Sequence, residues 1–136
     1  MVTNYTGYGK ALYLKTKSGN TAIYCHLSKF SVELEKELFS QQTKTEAYHV
    51  NSYFPSTDFP FKKGDIIGYT GNTGTSFGPH LHFELRSPSG NTLNPLRQGI
   101  SISDTLSPVV KGLTVFPLTH QTFINSFPLP MEFSII

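Results

Sequence analysis

Two histidines separated by a single residue, His80 and His82, lie in the run SFGPHLHFEL at residues 76–85. Alternating apolar residues predict a β-strand here, in which successive side chains point to opposite faces of the sheet. His80, His82, Glu84 and Arg86 should therefore share one face. Two neutral imidazoles at this spacing can reach one point above the sheet, and imidazole is a common zinc ligand. The run predicts either a metal site or a half-exposed strand that carries two histidines without a chemical role.

A third histidine, His26, ends the second of two strands predicted at residues 10–17 and 21–27. The sequence Ser18-Gly19-Asn20 between these strands predicts a hairpin turn. Strict alternation places His26 on one face with Ala22 and Tyr24, opposite Ile23, Cys25 and Leu27.

The only cysteine, Cys25, directly precedes His26, as a thiol nucleophile and its base could. Neighbours along a strand point apart, however, so Cys25 is interpreted as a small core residue. A single cysteine also excludes a disulfide within the chain.

Two further segments accompany the predicted strands. Residues 31–47 predict an amphipathic helix with Ser31 as its N-cap and an apolar stripe of Leu34, Leu38 and Phe39. His49, after the helix, has no ligand pattern around it and is interpreted as a structural residue.

The segment PFKKGDIIGYTGNTG leads into the histidine strand. It predicts a turn at residues 62–65, a short strand at 66–69 and then a tight glycine loop. No Gly-Lys-Ser/Thr follows, which argues against a phosphate-binding loop. The glycines are expected to let the backbone border a groove for an extended substrate. The residues expected at this groove are Tyr24, Asn72, Gly74 and Gly78.

Length and composition favour an all-β domain with little helix. The chain has 136 residues, with 11 glycines, 9 prolines and 18 Phe plus Tyr, as in folds built from short strands and tight turns. The net charge of +2 comes from scattered basic residues, so a nucleic-acid partner is not expected. No apolar stretch approaches the roughly 20 residues that span a bilayer, and MVTNYTGYGK does not read as a signal peptide.

The segments GYGKALYL, YCHLS, FKKGDIIGYTGNTG and GPHLHFEL followed by NP, together spanning residues 7–96, resemble the lysostaphin-type zinc metallopeptidases. The resemblance implies an antiparallel β-sandwich of the duplicated hybrid motif type, with one short inserted helix. It also implies hydrolysis of peptide cross-links in bacterial peptidoglycan, a cell-envelope location and peptidoglycan peptide stems as partners. The inserted helix and the tail DTLSPVVKGLTVFPL further resemble a Bacteroidota-like subgroup of the family.

The resemblance also implies roles for the three histidines. His82 is expected to bind Zn²⁺, while His80 and His26 flank the catalytic water as general base and transition-state stabilisers. Glu84, on the same strand face, is expected to orient an imidazole. Zinc activation of water and proton transfer by histidine form a coherent chemistry near neutral pH.

The chain departs from the family pattern at the other zinc ligands, which an upstream His-x-x-x-Asp motif supplies. None of the five histidines has an aspartate four positions later. Either the chain lacks an N-terminal part of the domain, or the domain has lost its metal and its activity. Retention of His26, His80 and His82 favours truncation, and the chain as given is expected to bind zinc weakly and cleave little. Residues 1–100 are thus expected to form a partial peptidase domain, and residues 101–136 a linker and the start of a β-rich accessory region that continues beyond the apolar C-terminus.

Two other functions fit the same pattern. The first is a non-catalytic peptidoglycan-binding or regulatory module on this fold. The second is a phosphocarrier or swinging-arm carrier, since histidines accept phosphate and KKGDIIG is similar to carrier hairpins. The position of Lys62-Lys63 before Gly64, without a flanking methionine, argues against the second.

Overall fold

The structure, a computed structural model, describes residues 1–103, 105–115, 123–124, 127–128 and 131–134. The chain forms two compact units, Met1–Ser101 and Ile102–Ile136. The predicted class is confirmed, because antiparallel strands dominate and the described residues contain one α-helix.

The central feature of the first unit is a four-stranded antiparallel sheet in the order β2-β3-β7-β8. Two smaller antiparallel pairs, β1-β5 and β4-β6, accompany it. The strands of this unit are β1 (Val2–Thr3), β2 (Leu12–Lys15), β3 (Thr21–Cys25), β4 (Lys29–Phe30), β5 (Val50–Asn51), β6 (Gly68–Tyr69), β7 (His82–Arg86) and β8 (Thr92–Leu93).

The predicted hairpin joins β2 to β3. Gly19 has φ of +83°, which a residue without Cβ adopts readily. The Thr16 N–H donates to the Asn20 carbonyl at 2.9 Å and closes the turn. The register that follows pairs Leu12 with Tyr24.

Both faces of the central sheet carry core residues. Residues directly opposite each other on paired strands share a face. One face carries Ile23, Cys25, His82 and Glu84, and the other carries Ala22, Tyr24, Phe83 and Leu85. The second of these faces covers the main core, which comprises Met1, Leu12, Leu27, Phe30, Leu34, Leu38 and Val50. Under the first face, Ala11, Ile23 and Cys25 form a smaller core against Tyr8.

The helix α1 (Val32–Thr45) packs Leu34 and Leu38 into the main core, as predicted. Phe39, the third residue of the predicted stripe, is 72% exposed, so its assignment to the buried face was wrong. It follows Leu38 by one position, a rotation of about 100° around the helix, and this carries it off the buried face.

Ser31 occupies the N-cap of α1, but its side chain makes no capping hydrogen bond. The Glu35 carboxylate acts at this end instead, accepting from the Phe30 N–H at 2.7 Å and from Lys10 Nζ at 3.0 Å. These two contacts fix the first turn of α1 to β4 and to the segment before β2.

A short 3-10 helix (Pro95–Gln98) follows β8. In the second unit, β9 (Gly112–Val115) pairs with β12 (Met131–Ser134), and β10 (Phe123–Ile124) pairs with β11 (Phe127–Pro128). The strand predicted from Val109 begins instead at Gly112. Phe116, its predicted end, and Asp104, the start of the predicted linker, lie outside the described residues. Among the residues that are described, no helix has the length and apolarity needed to cross a membrane.

Candidate functional site

Three histidines from two chain segments converge on one face of the central sheet. The His26 ring centroid lies 4.8 Å from that of His80 and 5.6 Å from that of His82. One ring nitrogen from each residue lies within 4.8 Å of those of the other two. Across the described part of the chain, this is the one group of three or more His, Cys, Asp or Glu side chains that could hold a metal.

His26 reaches this cluster because its backbone leaves the strand pattern. β3 ends at Cys25, and His26 adopts a left-handed conformation with φ of +58°. The side chain is buried and joins His80 and His82. The expectation that His26 shares a face with Tyr24 was therefore wrong, because alternation does not continue through a left-handed residue.

The hydrogen bonds of His26 and His80 determine their tautomers. His26 Nδ1 lies 2.8 Å from the Thr73 carbonyl, and His80 Nδ1 lies 2.8 Å from the Gly78 carbonyl. A carbonyl oxygen only accepts, so Nδ1 of each ring carries the proton. In the neutral form of each ring Nε2 then carries no proton, which is the state in which an imidazole binds a metal or accepts a proton.

His82 contacts Glu84, two residues along the same strand. His82 Nε2 lies 2.9 Å from Glu84 Oε1, so its N–H donates a hydrogen bond to the carboxylate, and in the neutral ring Nδ1 carries no proton. A carboxylate that accepts from the far nitrogen is a common support for a metal-binding histidine. This contact agrees with the expected orienting role of Glu84, which stays a prediction.

Glu84 is itself held by two residues to which the sequence interpretation gave no role. The Tyr8 hydroxyl donates to Oε1, and Arg86 donates to Oε2 from Nε at 2.8 Å and from Nη2 at 2.6 Å. Burial raises the pKa of Glu84, but the hydrogen bonds from Tyr8, Arg86 and His82 outweigh it and lower the pKa overall. The carboxylate is thus ionised at neutral pH and available to His82.

The four residues expected to line a substrate groove lie in different surroundings. Tyr24 packs on Phe83 at a ring distance of 5.0 Å and against the main core, on the face opposite the histidines. A Cβ on Gly74 would lie 2.4 Å from the Gly7 carbonyl oxygen, so this glycine serves loop packing. Asn72 is exposed, and Gly78 faces open space. The groove assignment stays a prediction for all four residues.

Cys25 and His49 do not join the cluster. Cys25 is fully buried, and burial raises the pKa of its thiol to about 12, which agrees with its interpretation as a core residue rather than a nucleophile. His49 is exposed. The supporting residues Tyr8 and Thr73 were missed because they lie 76 and 47 positions from the residues they contact. Arg86 alone carried a signal, since alternation placed it on the histidine face.

Comparison with known proteins places these features in a family. Residues 39–95, which include His80 and His82, match the sequence model of Peptidase family M23. Over 90 residues the chain is 31% identical to the DD-carboxypeptidase/endopeptidase Mpg of Neisseria meningitidis serogroup B, and equally so to that of Neisseria gonorrhoeae. That alignment covers 66% of this chain and 15% of each relative.

The chain is also similar to a second protein over a shorter stretch of sequence and to one solved structure. An uncharacterized metalloprotease of Haemophilus influenzae is 38% identical over 56 residues, which are 41% of this chain and 12% of that protein. The crystal structure of a mutant catalytic domain of the prophage-encoded M23 protein EnpA from Enterococcus faecalis has a TM-score of 0.44 and 25% identity, covering 68% of this chain and 55% of the other. The chain thus spans about one seventh of the Mpg proteins it matches. On the sequence matches, residues 39–95 are assigned to the lysostaphin-type family M23 of peptidases.

Proposed function

We propose that this chain is part of a zinc metallopeptidase that hydrolyses peptide cross-links of bacterial peptidoglycan in the cell envelope. The observation that carries the proposal is the convergence of His26, His80 and His82, each with one ring nitrogen within hydrogen-bonding distance of a protein oxygen. Membership of family M23 and the similarity to Mpg support the substrate class.

The described residues fit a zinc ion. Neutral imidazoles are ordinary zinc ligands, and three protein ligands with an open position characterise catalytic zinc sites. His82, supported by an ionised carboxylate, is the proposed ligand. A zinc ion held there would polarise the scissile carbonyl and lower the pKa of a water ligand toward neutrality.

His26 and His80 carry the proton chemistry in this proposal. Their unprotonated Nε2 atoms can accept a proton from the attacking water, and the resulting imidazolium can stabilise negative charge or donate to the leaving amine. His26 is buried, while His80 is exposed and can meet a substrate from solvent. This difference favours His80 as the residue nearer the bound peptide.

The two ligands expected from a His-x-x-x-Asp motif are not in this sequence. If His82 is the only ligand here, the chain alone binds zinc weakly, and a longer polypeptide that supplies the motif binds it tightly. If all three histidines are ligands, the chain alone suffices.

Equilibrium dialysis with zinc, followed by metal analysis, separates these cases. We expect His82→Ala to remove binding by the longer polypeptide and His49→Ala, at an exposed histidine, to leave it intact. Chromatography of a cross-linked muropeptide should show cleavage by the longer polypeptide and none by its His82→Ala variant. A longer polypeptide that holds no zinc and cleaves nothing would overturn the proposal.

The missing motif favours one second candidate, a non-catalytic peptidoglycan-binding module. Such a module would co-sediment with purified peptidoglycan after chelation and in the His82→Ala variant. Loss of co-sedimentation under both conditions would exclude it.

A further inference from the structure

The buried His26 is held by the loop that follows β6. Its backbone N–H donates to the Tyr8 carbonyl at 3.0 Å, and the next N–H, of Leu27, donates to the Lys10 carbonyl at 3.1 Å. Its ring donates from Nδ1 to the Thr73 carbonyl at 2.8 Å. The left-handed backbone of His26 thus lies between two other segments that fix both its main chain and its ring.

The Thr73 hydroxyl connects the loop after β6 with the segment before β2 and with Leu27. It accepts from the Lys10 N–H at 2.9 Å and donates to the Leu27 carbonyl at 2.8 Å. One hydroxyl therefore holds together the chain before β2 and the residue after His26. The carbonyl of the same residue accepts the hydrogen bond from His26 Nδ1. By holding Thr73 in place, the hydroxyl therefore sets the position of that acceptor.

This arrangement requires close backbone approach. A Cβ on Gly9 would lie 2.4 Å from the Thr73 carbonyl carbon and from Thr73 Oγ1. Thr75 adds two bonds to the same contact, because its N–H donates to the Gly7 carbonyl and its Oγ1 accepts from the Gly7 N–H. Neither bond of Thr75 reaches His26 or its neighbours, so Thr75 docks the loop without orienting the ring.

We propose that Thr73 is a positioning residue for His26: its hydroxyl fixes the loop so that its carbonyl keeps the proton on Nδ1 and directs an unprotonated Nε2 toward His80 and His82. This inference deepens the proposed peptidase function and rests on it for its catalytic meaning. The orientation itself is a property of the metal-free chain and can be measured without activity.

The test uses ¹⁵N-detected NMR of the imidazoles in the chain as given, about two pH units above the ordinary imidazole pKa of about 6.5. We expect wild-type His26 to show one tautomer with Nδ1 protonated, identified by its loss in His26→Gln. Thr73→Val keeps the side-chain shape but leaves the Lys10 N–H and the Leu27 carbonyl without partners. The two His26 ring shifts should then move toward an average as both tautomers become populated.

Three further variants separate positioning from folding. Thr73→Ser keeps the hydroxyl and should restore the wild-type tautomer. Thr75→Val removes a docking bond from the same loop and should leave the tautomer unchanged. If Thr73→Val does not fold, Thr73→Ala, which also removes the hydroxyl but places no apolar group against the Lys10 N–H and the Leu27 carbonyl, gives the same measurement.

The inference would be overturned by a wild-type His26 tautomer in the folded Thr73→Val or Thr73→Ala variant. An equal loss in Thr75→Val would also overturn it, because loop docking in general would then be responsible. Failure of the peptidase proposal has a different signature: no zinc bound and no cross-link cleaved, with the His26 tautomer still dependent on Thr73.

Discussion

Glu84 links the supporting residues to the expected metal ligand, because it accepts hydrogen bonds from Tyr8, Arg86 and His82. Glu84→Gln removes the negative charge and presents an amide that can donate as well as accept. Since such supporting residues typically change metal affinity by about 10-fold to 100-fold, we expect zinc binding to weaken by about tenfold or more. Competition with a chromogenic chelator measures this. Glu33→Gln, the same change on an exposed part of α1, is the control, and equal affinities in the two variants would contradict the role of Glu84.

Cys25 lies in the smaller core directly opposite His82 on the neighbouring strand. Because the thiol is fully buried, we expect it to react with a thiol reagent such as DTNB only when the chain unfolds. Ser56→Cys in a Cys25→Ala background places a thiol at an exposed position and should react at once. Rapid labelling of the native wild-type chain would show that the core opens or that the thiol is activated.

At the scale of elements, α1 offers a matched test of packing. Leu38 is 2% exposed in the main core, whereas the adjacent Phe39 is 72% exposed. Leu38→Ala should lower the free energy of unfolding by about 2 to 5 kcal/mol, as buried leucines do. Phe39→Ala should change it by less than about 0.5 kcal/mol, as exposed substitutions do. Urea unfolding followed by circular dichroism measures both, and equal losses would mean that Phe39 is covered by an unseen contact.

The glycine loop offers a second matched pair. Gly74 has φ of +76° and faces the backbone of Gly7 and Gly9, whereas a Cβ on Gly78 would meet open space. Gly74→Ala should cost about 1 to 3 kcal/mol, from backbone strain and displacement of the two loops. Gly78→Ala should be nearly neutral, and urea unfolding followed by circular dichroism measures both variants. A neutral Gly74→Ala would show that the two loops do not pack as described.

Local sequence patterns predicted the secondary-structure elements better than the hydrogen bonds between residues far apart in the sequence. The hairpin, the helix and the shared face of His82, Glu84 and Arg86 follow from alternation and turn residues, which act between near neighbours. His26 broke the pattern because its left-handed backbone depends on hydrogen bonds to distant loops, which no local pattern encodes. Thr73 was missed for the same physical reason, since its bonds reach residues 63 and 46 positions away.

At the scale of the molecule, a metal that binds only the folded state adds stability to the first unit, Met1–Ser101. The gain depends on the ratio of free zinc to its dissociation constant and reaches about 2.7 kcal/mol when zinc exceeds that constant about 100-fold. We therefore expect the unfolding midpoint to rise with zinc concentration and to return to its starting value with a chelator.

The histidine variants locate the source of this stabilisation. His82→Ala should abolish the zinc-dependent rise, because it removes the proposed ligand, while the exposed His49→Ala should keep it. His26→Ala and His80→Ala distinguish the two possible ligand sets: a preserved rise assigns these residues to proton transfer, and a lost rise assigns them to the metal. Thermal scans followed by far-ultraviolet circular dichroism measure all four. A midpoint independent of zinc in the wild-type chain would mean that the three imidazoles alone do not hold the ion, and that stable binding depends on ligands from another segment.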